Sequence, residues 1–217
     1  MKIIDISWPI SEKMTEYKNR KTVARVHTKV FETDGAREST IAMHLHSGTH
    51  VDAPAHFLRD GASIEQLPPS HYIGPCRVLD LTNVQEKITA ADLNTYALHA
   101  HEIILLKTKN SALTTDAPFN PGFIYLDASG ARYFAEIKVK TVGIDYVGIE
   151  RNQPNHETHV TLLTHSIGII EGLRLAHVEP GSYFLICLPL LIPGADAVPA
   201  RAVLLTHELN SSTFQMS

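Results

Sequence analysis

From Ile41 to His56 the chain reads IAMHLHSGTHVDAPAH, a stretch that extended backbone would sort into two chemically different faces. Successive side chains of a strand point to opposite sides. The odd positions carry Ile41, Met43, Leu45, Ser47, Thr49, Val51 and Ala53, a mostly apolar set suited to a core. The even positions carry Ala42, His44, His46, Gly48, His50, Asp52, Pro54 and His56. A chain with this stretch needs a sheet that packs one face and gathers imidazoles and a carboxylate on the other. Gly48 leaves room there for an ion or substrate and permits an unusual backbone angle. Pro54 ends regular pairing and turns His56 toward the same mouth.

The rest of the chain supplies the strands such a sheet needs. KIIDIS, TIAMHLH, CRVLDL, EIILLKT, FIYLDA, TVGIDY, GIIEG, SYFLICLPL and AVLLTHEL are short β-branched and aliphatic runs. Helices are expected at ADLNTYALHA, with Thr89 as its cap, at ASGARYFAEIK and at NHETHVTLLTHS. Strands outnumber helices without regular alternation, which predicts a sheet-rich α/β or α+β domain rather than a doubly wound one. At 217 residues, with no repeat or linker, the expectation is one domain over 1–217. The formal net charge of -4 gives no electrostatic reason to expect nucleic acid. The apolar runs are too short and too rich in proline for a membrane span. MKIIDISWPI has one Lys and an interrupting Asp5, so it reads as a first strand rather than a signal peptide, and a cytoplasmic location is expected. Cys76 and Cys187 lie in apolar surroundings and read as buried free thiols.

His46, His50, Asp52 and His56 follow the spacing His-x3-His-x-Asp-x3-His. Imidazole nitrogens with a carboxylate are what first-row divalent metals take when no thiolate is offered, and the two oxygens of Asp52 can bridge two ions. One strand rarely encloses an ion, so further ligands are sought in NHETHVTLLTHSIGIIEGL, residues 155–173. His156, His159 and Glu171 are available there, with His165 as a further option. In a helix, His159 and Leu163 share a face and His165 points elsewhere. Glu171 sits in an apolar run where a lone buried carboxylate is costly, so it needs a metal or an Arg partner such as Arg174. No Gly-x-Ser-x-Gly elbow or activating motif beside a cysteine appears, which is consistent with chemistry by metal-activated water.

The segment HSGTHVDAPAH, residues 46–56, resembles the hallmark His-x-Gly-Thr-His-x-Asp-x-Pro-x-His of the cyclase-like metal-dependent hydrolases, which include bacterial kynurenine formamidases. TVGIDYVGIE, HVTLLTHSIGIIEGL and YFLICLPLLIPGADAVPARAVLL resemble further segments of that family. The resemblance implies a swivelling β/β/α fold with a mixed, barrel-like sheet and a few flanking helices. It implies metal ligands His46, His50, Asp52, His159 and Glu171, with Asp52 bridging two divalent ions, zinc or alternatively manganese. His56 falls at the acid/base position, and His44 is left as a neighbour. The implied activity is hydrolysis of a small-molecule amide, of arylformamidase type, by a homo-oligomer (dimer or tetramer). Formamidases of the family carry Trp-Pro-Gly-Asp or Tyr-Pro-Gly-Asp where this chain has Tyr17, Lys18, Asn19 and Arg20; Tyr17 keeps the aromatic, substrate-lining position, and the substrate is left open. The basic residues Lys18, Arg20, Lys21, Arg25 and Lys29 either meet an anionic substrate or form a solvated loop. Alternatives are an isatin-type lactam hydrolase, a polyketide cyclase, and a non-catalytic metal-stabilised domain. The isatin type holds one manganese and lacks a carboxylate at the Glu171 position.

Overall fold

A computed structural model describes residues 1–206. In chain order the strands are β1 (Ile3–Asp5), β2 (Ala24–Lys29), β3 (Glu38–Ala42), β4 (His50–Asp52), β5 (Ile73–Asp80), β6 (Lys87–Ile88), β7 (Ile103–Lys107), β8 (Tyr125–Leu126), β9 (Thr141–Ile144), β10 (Gly168–Glu171), β11 (Gly181–Pro189) and β12 (Ala197–Leu205). The α-helices are α1 (Phe31–Asp34), α2 (Ala90–Leu93), α3 (Ala128–Ile137) and α4 (Glu157–Thr164).

The main sheet runs β1-β12-β11-β5-β7-β9-β10-β4, and β4 also pairs with β12. That second pairing closes seven strands into a mixed barrel, with β1 added along the far end of β12. β5, β7, β9 and β10 pair in parallel, whereas β4, β11 and β12 pair antiparallel to their neighbours. Closure leaves no free edge among these seven strands. One apolar cluster, with Val51, Val78, Leu105, Ile170, Leu185, Cys187 and Leu204, fills the barrel. A second, with Ile104, Phe134, Val142, Leu162 and Ile169, packs α3 and α4 against its outer surface. Alternation along β10 thus sends Ile170 inward and Ile169 with Glu171 outward. Burying each of these aliphatic chains contributes about 1.5–3 kcal/mol. Both cysteines are free and buried, and burial pushes their thiols up to about 12. No helix among the described residues is long and apolar enough to cross a membrane.

Local chemistry accounts for most element boundaries. Asp127 caps α3 by accepting from the amides of Ser129 and Gly130. Thr89 and Asp92 form a capping box at the start of α2, but the helix ends after one turn, where Tyr96 turns its hydroxyl to the Asp80 carbonyl. The expected strand at FIYLDA reduces to the two residues of β8. Of AVLLTHEL, the last three positions lie outside the described residues.

The stretch 41–56 is not one continuous strand. β3 ends at Ala42, β4 begins at His50, and Gly48 between them takes a left-handed φ of 63°. The space beside Gly48 does not receive an ion. A Cβ there would stand 2.8 Å from the Trp8 carbonyl and 2.9 Å from Ile10, so core packing occupies it. β2 and β3 pair into an exposed antiparallel arm joined by α1, and the second half of the basic stretch is this strand rather than a loop. Lys29 pairs there with Glu38.

Gly172 completes the contact. Its φ is 69°, its amide donates to the Tyr146 carbonyl, and a Cβ would lie 2.3 Å from the Gly48 carbonyl oxygen. Thr49 Oγ1 donates to the Gly172 carbonyl at 2.5 Å and accepts from the Trp8 amide at 2.7 Å, tying the entry of β4 to the exit of β10. Gly172→Ala combines a strained φ with backbone overlap, and is expected to cost about 3 kcal/mol or more, read as a lowered urea midpoint. An unchanged midpoint would show that this close approach is not required.

Candidate metal centre

Strand register builds the centre. β4 lies between β10 and β12, with His50 opposite Glu171 and Asp52 opposite Ala197. His50, Asp52 and Glu171 share the outward face, and all three are buried. α4 covers them from outside and presents His159, which is also buried. His46 enters from the bend before Gly48, and His56 from a short 3-10 turn, Pro54–His56.

Two nests of ligand atoms meet at Asp52. On one side Asp52 Oδ1 lies 3.1 Å from His46 Nδ1 and 3.6 Å from His50 Nε2. On the other, Asp52 Oδ2 lies 3.4 Å from His159 Nε2, which is 3.3 Å from Glu171 Oε1. Glu171 Oε2 is 3.2 Å from His50 Nε2, linking the nests. His46, Asp52 and His56 offer ligand atoms within 4.8 Å of one another, as do His50, Asp52 and Glu171. His50 Nε2 and both Asp52 carboxylate oxygens are buried without a hydrogen-bond partner. Orphaned donors and acceptors cost about 1–3 kcal/mol each, so three gathered together fit a divalent cation. The residues present therefore fit a divalent metal, and the mixed nitrogen and oxygen set suits zinc or manganese.

The far nitrogens of His50 and His46 are hydrogen-bonded, which fixes which atom faces the centre, and that of His159 has a carboxylate beside it. His50 Nδ1 donates to the Gly48 carbonyl at 2.9 Å. His46 Nε2 stands 3.1 Å from Asp196 Oδ2. His159 Nδ1 stands 3.1 Å from Glu150 Oε2, and that oxygen also accepts from the His159 amide. Sequence reasoning gave Glu150 and Asp196 no role. Asp196 lay in view within GADAVP, and Glu150 was an acidic residue ending the run VGIE. Asp196 Oδ2 also reaches His56 Nδ1 at 3.5 Å. Phe57 packs on His56 and His159, with centroids 4.1 and 4.5 Å away.

The remaining candidates are placed as follows. His156 is mostly exposed, with Nδ1 2.5 Å from Glu150 Oε1. His165 points away and binds the Thr161 carbonyl. His44 Nδ1 accepts from the His46 amide, shaping the bend before Gly48. Arg174 is not the partner of Glu171: it donates to the Ser111 and Leu113 carbonyls and covers Trp8. Tyr17 lies to one side, against Phe119.

Charge balance in the metal-free protein follows from this packing. Burial opposes ionisation of Asp52, yet the His159 and His46 imidazoles beside it hold its carboxyl well below the usual range. Burial likewise works against charge on His46, but Asp52 and Asp196 raise its pKa to about 9. Burial lowers the pKa of His56, helped by the charge of His46, against the pull of Asp52. The His46 pair stabilises the metal-free fold fully below pH 6.5 and loses that contribution as pH rises through about 9. A metal entering the site must displace the His46 proton, so metal affinity is expected to rise with pH between 6.5 and about 9, by up to about tenfold per unit. Calorimetry in buffers of different ionisation enthalpy should register at least one proton released at pH 7.5. Affinity flat with pH would remove His46 from the ligand set.

The family described as "Putative cyclase" matches residues 4–151, more than half of the chain. The chain belongs to this cyclase family. Among its relatives, the kynurenine formamidase of Bacillus cereus (strain ATCC 14579) is 31% identical over 203 residues, covering 93% of this chain and 96% of that protein. A solved structure described as a "predicted metal-dependent hydrolase from Bacillus stearothermophilus" superposes with a TM-score of 0.84 at 42% identity, covering 94% of this chain and 97% of that one. Isatin hydrolase A from Ralstonia solanacearum shares the fold, with a TM-score of 0.82 at 18% identity over 94% of this chain and 91% of its own.

Proposed function

We propose that the protein is a metal-dependent amidohydrolase of arylformamidase type, cleaving the C–N bond of an N-formyl arylamine to give formate and the free amine. The observation that carries this reading is the single buried carboxylate, Asp52, shared between two ligand nests. The name and extent of the Bacillus cereus relative support the formamide substrate. In this reading His46, His50, Asp52, His159 and Glu171 would hold the divalent metal. When bound, the metal polarises the formyl carbonyl and makes water acidic enough to ionise near neutral pH.

The chain's own residues do the rest. Asp196 faces His56 Nδ1, leaving His56 Nε2 to take a proton from the attacking water and return it to the departing amine nitrogen. Glu150 holds His159, and Gly48 holds His50, so neither ring turns as charge builds on the carbonyl oxygen. Phe57 packs an apolar ring beside His56 and His159. The Ile149 amide donates to Glu171 Oε1 at 2.6 Å and fixes that carboxylate. A homo-oligomer is part of the proposal, supported by Val26, Phe31 and Ile41 standing exposed on the β2–β3 arm.

The test is purified protein loaded with zinc or with manganese, assayed on N-formylkynurenine and on isatin. Release of formate and kynurenine is expected, with isatin poorly turned over. Hydrolysis of isatin alone, or no hydrolysis with metal fully bound, overturns the proposal.

A further inference from the structure

A second feature is built by residues 17–20. A cavity of about 310 Å³ is lined by Tyr17, Lys18, Phe119, Phe123 and Arg151, among others. The Tyr17 ring meets Phe119 edge-on at 5.0 Å, with Lys18 Nζ 5.3 Å and the Arg20 guanidinium 5.9 Å from its centroid. Arg151 is already engaged by Glu86 and the Phe123 carbonyl. Lys18 and Arg20 have no carboxylate partner among the described residues.

The loop that carries them is held at several points. Lys18 and Asn19 both take left-handed φ, at 55° and 56°. That conformation costs free energy unless its surroundings enforce it. Asn19 Oδ1 accepts from the Phe119 amide at 2.7 Å. Glu16, itself buried, accepts from the amide and hydroxyl of Thr22 and closes the loop. Thr22 Oγ1 then accepts from the His44 amide, and Arg20 Nη1 lies 3.4 Å from His44 Nε2. The His44 ring is 5.3 Å from that of His46. One short chain of contacts therefore runs from the Tyr17 ring through Arg20 to the metal centre.

We propose that Arg20, with Lys18 behind it, receives an anionic group of the substrate, so that the preferred substrate is an aryl amide carrying a carboxylate near the scissile bond. The inference rests on the arylformamidase reading for the reaction, but not for the binding. Tyr17, Phe119 and Phe123 supply apolar walls for the ring. The guanidinium, next to Tyr17 and 3.4 Å from His44, supplies a planar fork for a carboxylate. A neutral arylamide would leave this cation solvated and gain nothing from it.

The experiment compares the metal-loaded wild type with Arg20→Ala, Lys18→Ala and Lys21→Ala, the last an exposed neighbour that removes the same charge. Calorimetric binding of 2-aminobenzoate and of aniline is measured in each, followed by hydrolysis of 2-formamidobenzoate and of formanilide. Arg20→Ala is expected to weaken 2-aminobenzoate binding about tenfold or more, Lys18→Ala less, and Lys21→Ala by under about twofold. Aniline binding should be unchanged throughout. With substrates, the loss should fall on KM for 2-formamidobenzoate and spare formanilide. An equal loss on both ligands, an equal loss in Lys21→Ala, or no loss in Arg20→Ala overturns the inference. Failure of the wild type to hydrolyse either formamide counts against the proposed reaction alone, since the binding comparison reads the anion site without turnover.

Discussion

Asp52→Ala is expected to yield a protein that retains neither metal nor measurable hydrolysis. One Asp52 oxygen faces His46 and His50 and the other faces His159, so a single truncation opens both nests. No other described carboxylate can substitute. Glu171 is already committed to His50, His159 and the Ile149 amide, and Asp196 faces the far nitrogen of His46 and His56 Nδ1. Loss of polarisation and of acidified water together removes several kcal/mol of transition-state stabilisation, a rate fall of about a thousandfold or more. The fold bears a different cost, because His46 and His159 lose the carboxylate that favours their charged forms. Asp52→Asn keeps the volume and separates the two effects. It should show near-native circular dichroism with metal content near zero by elemental analysis. An Asp52→Asn protein holding its full metal complement would show that the shared carboxylate is not what binds.

What the sequence disclosed about this centre, and what it hid, follows from the range of the forces involved. Period-two alternation placed Val51 inward and His50 with Asp52 outward, because burial on one face of a strand is a local rule. Helical spacing likewise put His159 with Leu163 on the buried side of α4 and left His165 outside. The same alternation, carried through 43–49, forecast an unbroken strand. The break at Gly48 depends on the Trp8 carbonyl and Ile10, which no local pattern announces. The exposed arm escaped notice because β2 carries basic side chains and buries none of its residues. Glu150 and Asp196 were visible as residues but not as partners, since their meaning arises only when α4 and the start of β12 arrive beside β4. Barrel closure through β4 and β12 is of the same kind, a pairing across most of the chain.

His56→Ala is expected to lower kcat about 10²–10⁴-fold while leaving metal content and KM nearly unchanged. Two placements of His56 compete. Its ligand atoms lie within 4.8 Å of His46 and Asp52, close enough to join the shell, and its ring centroid is 4.2 Å from that of His46. Asp52 Oδ1 nonetheless already has His46 Nδ1 and His50 Nε2 beside it. His56 is also the more exposed group, on a turn rather than a strand, with Asp196 at Nδ1 and Phe57 against its face. Burial lowers its pKa from 6.5, so the ring is neutral at pH 7 and able to accept a proton. A ligand needs rigid enclosure, whereas a proton carrier needs a partner that orients its ring and room to move a proton. A closed shell that included His56 would describe a structural site without a free base. Metal content measured on the His56→Ala protein therefore decides between them: retention with lost turnover assigns the proton to His56, and loss of both would make it a ligand and leave the departing amine without its donor.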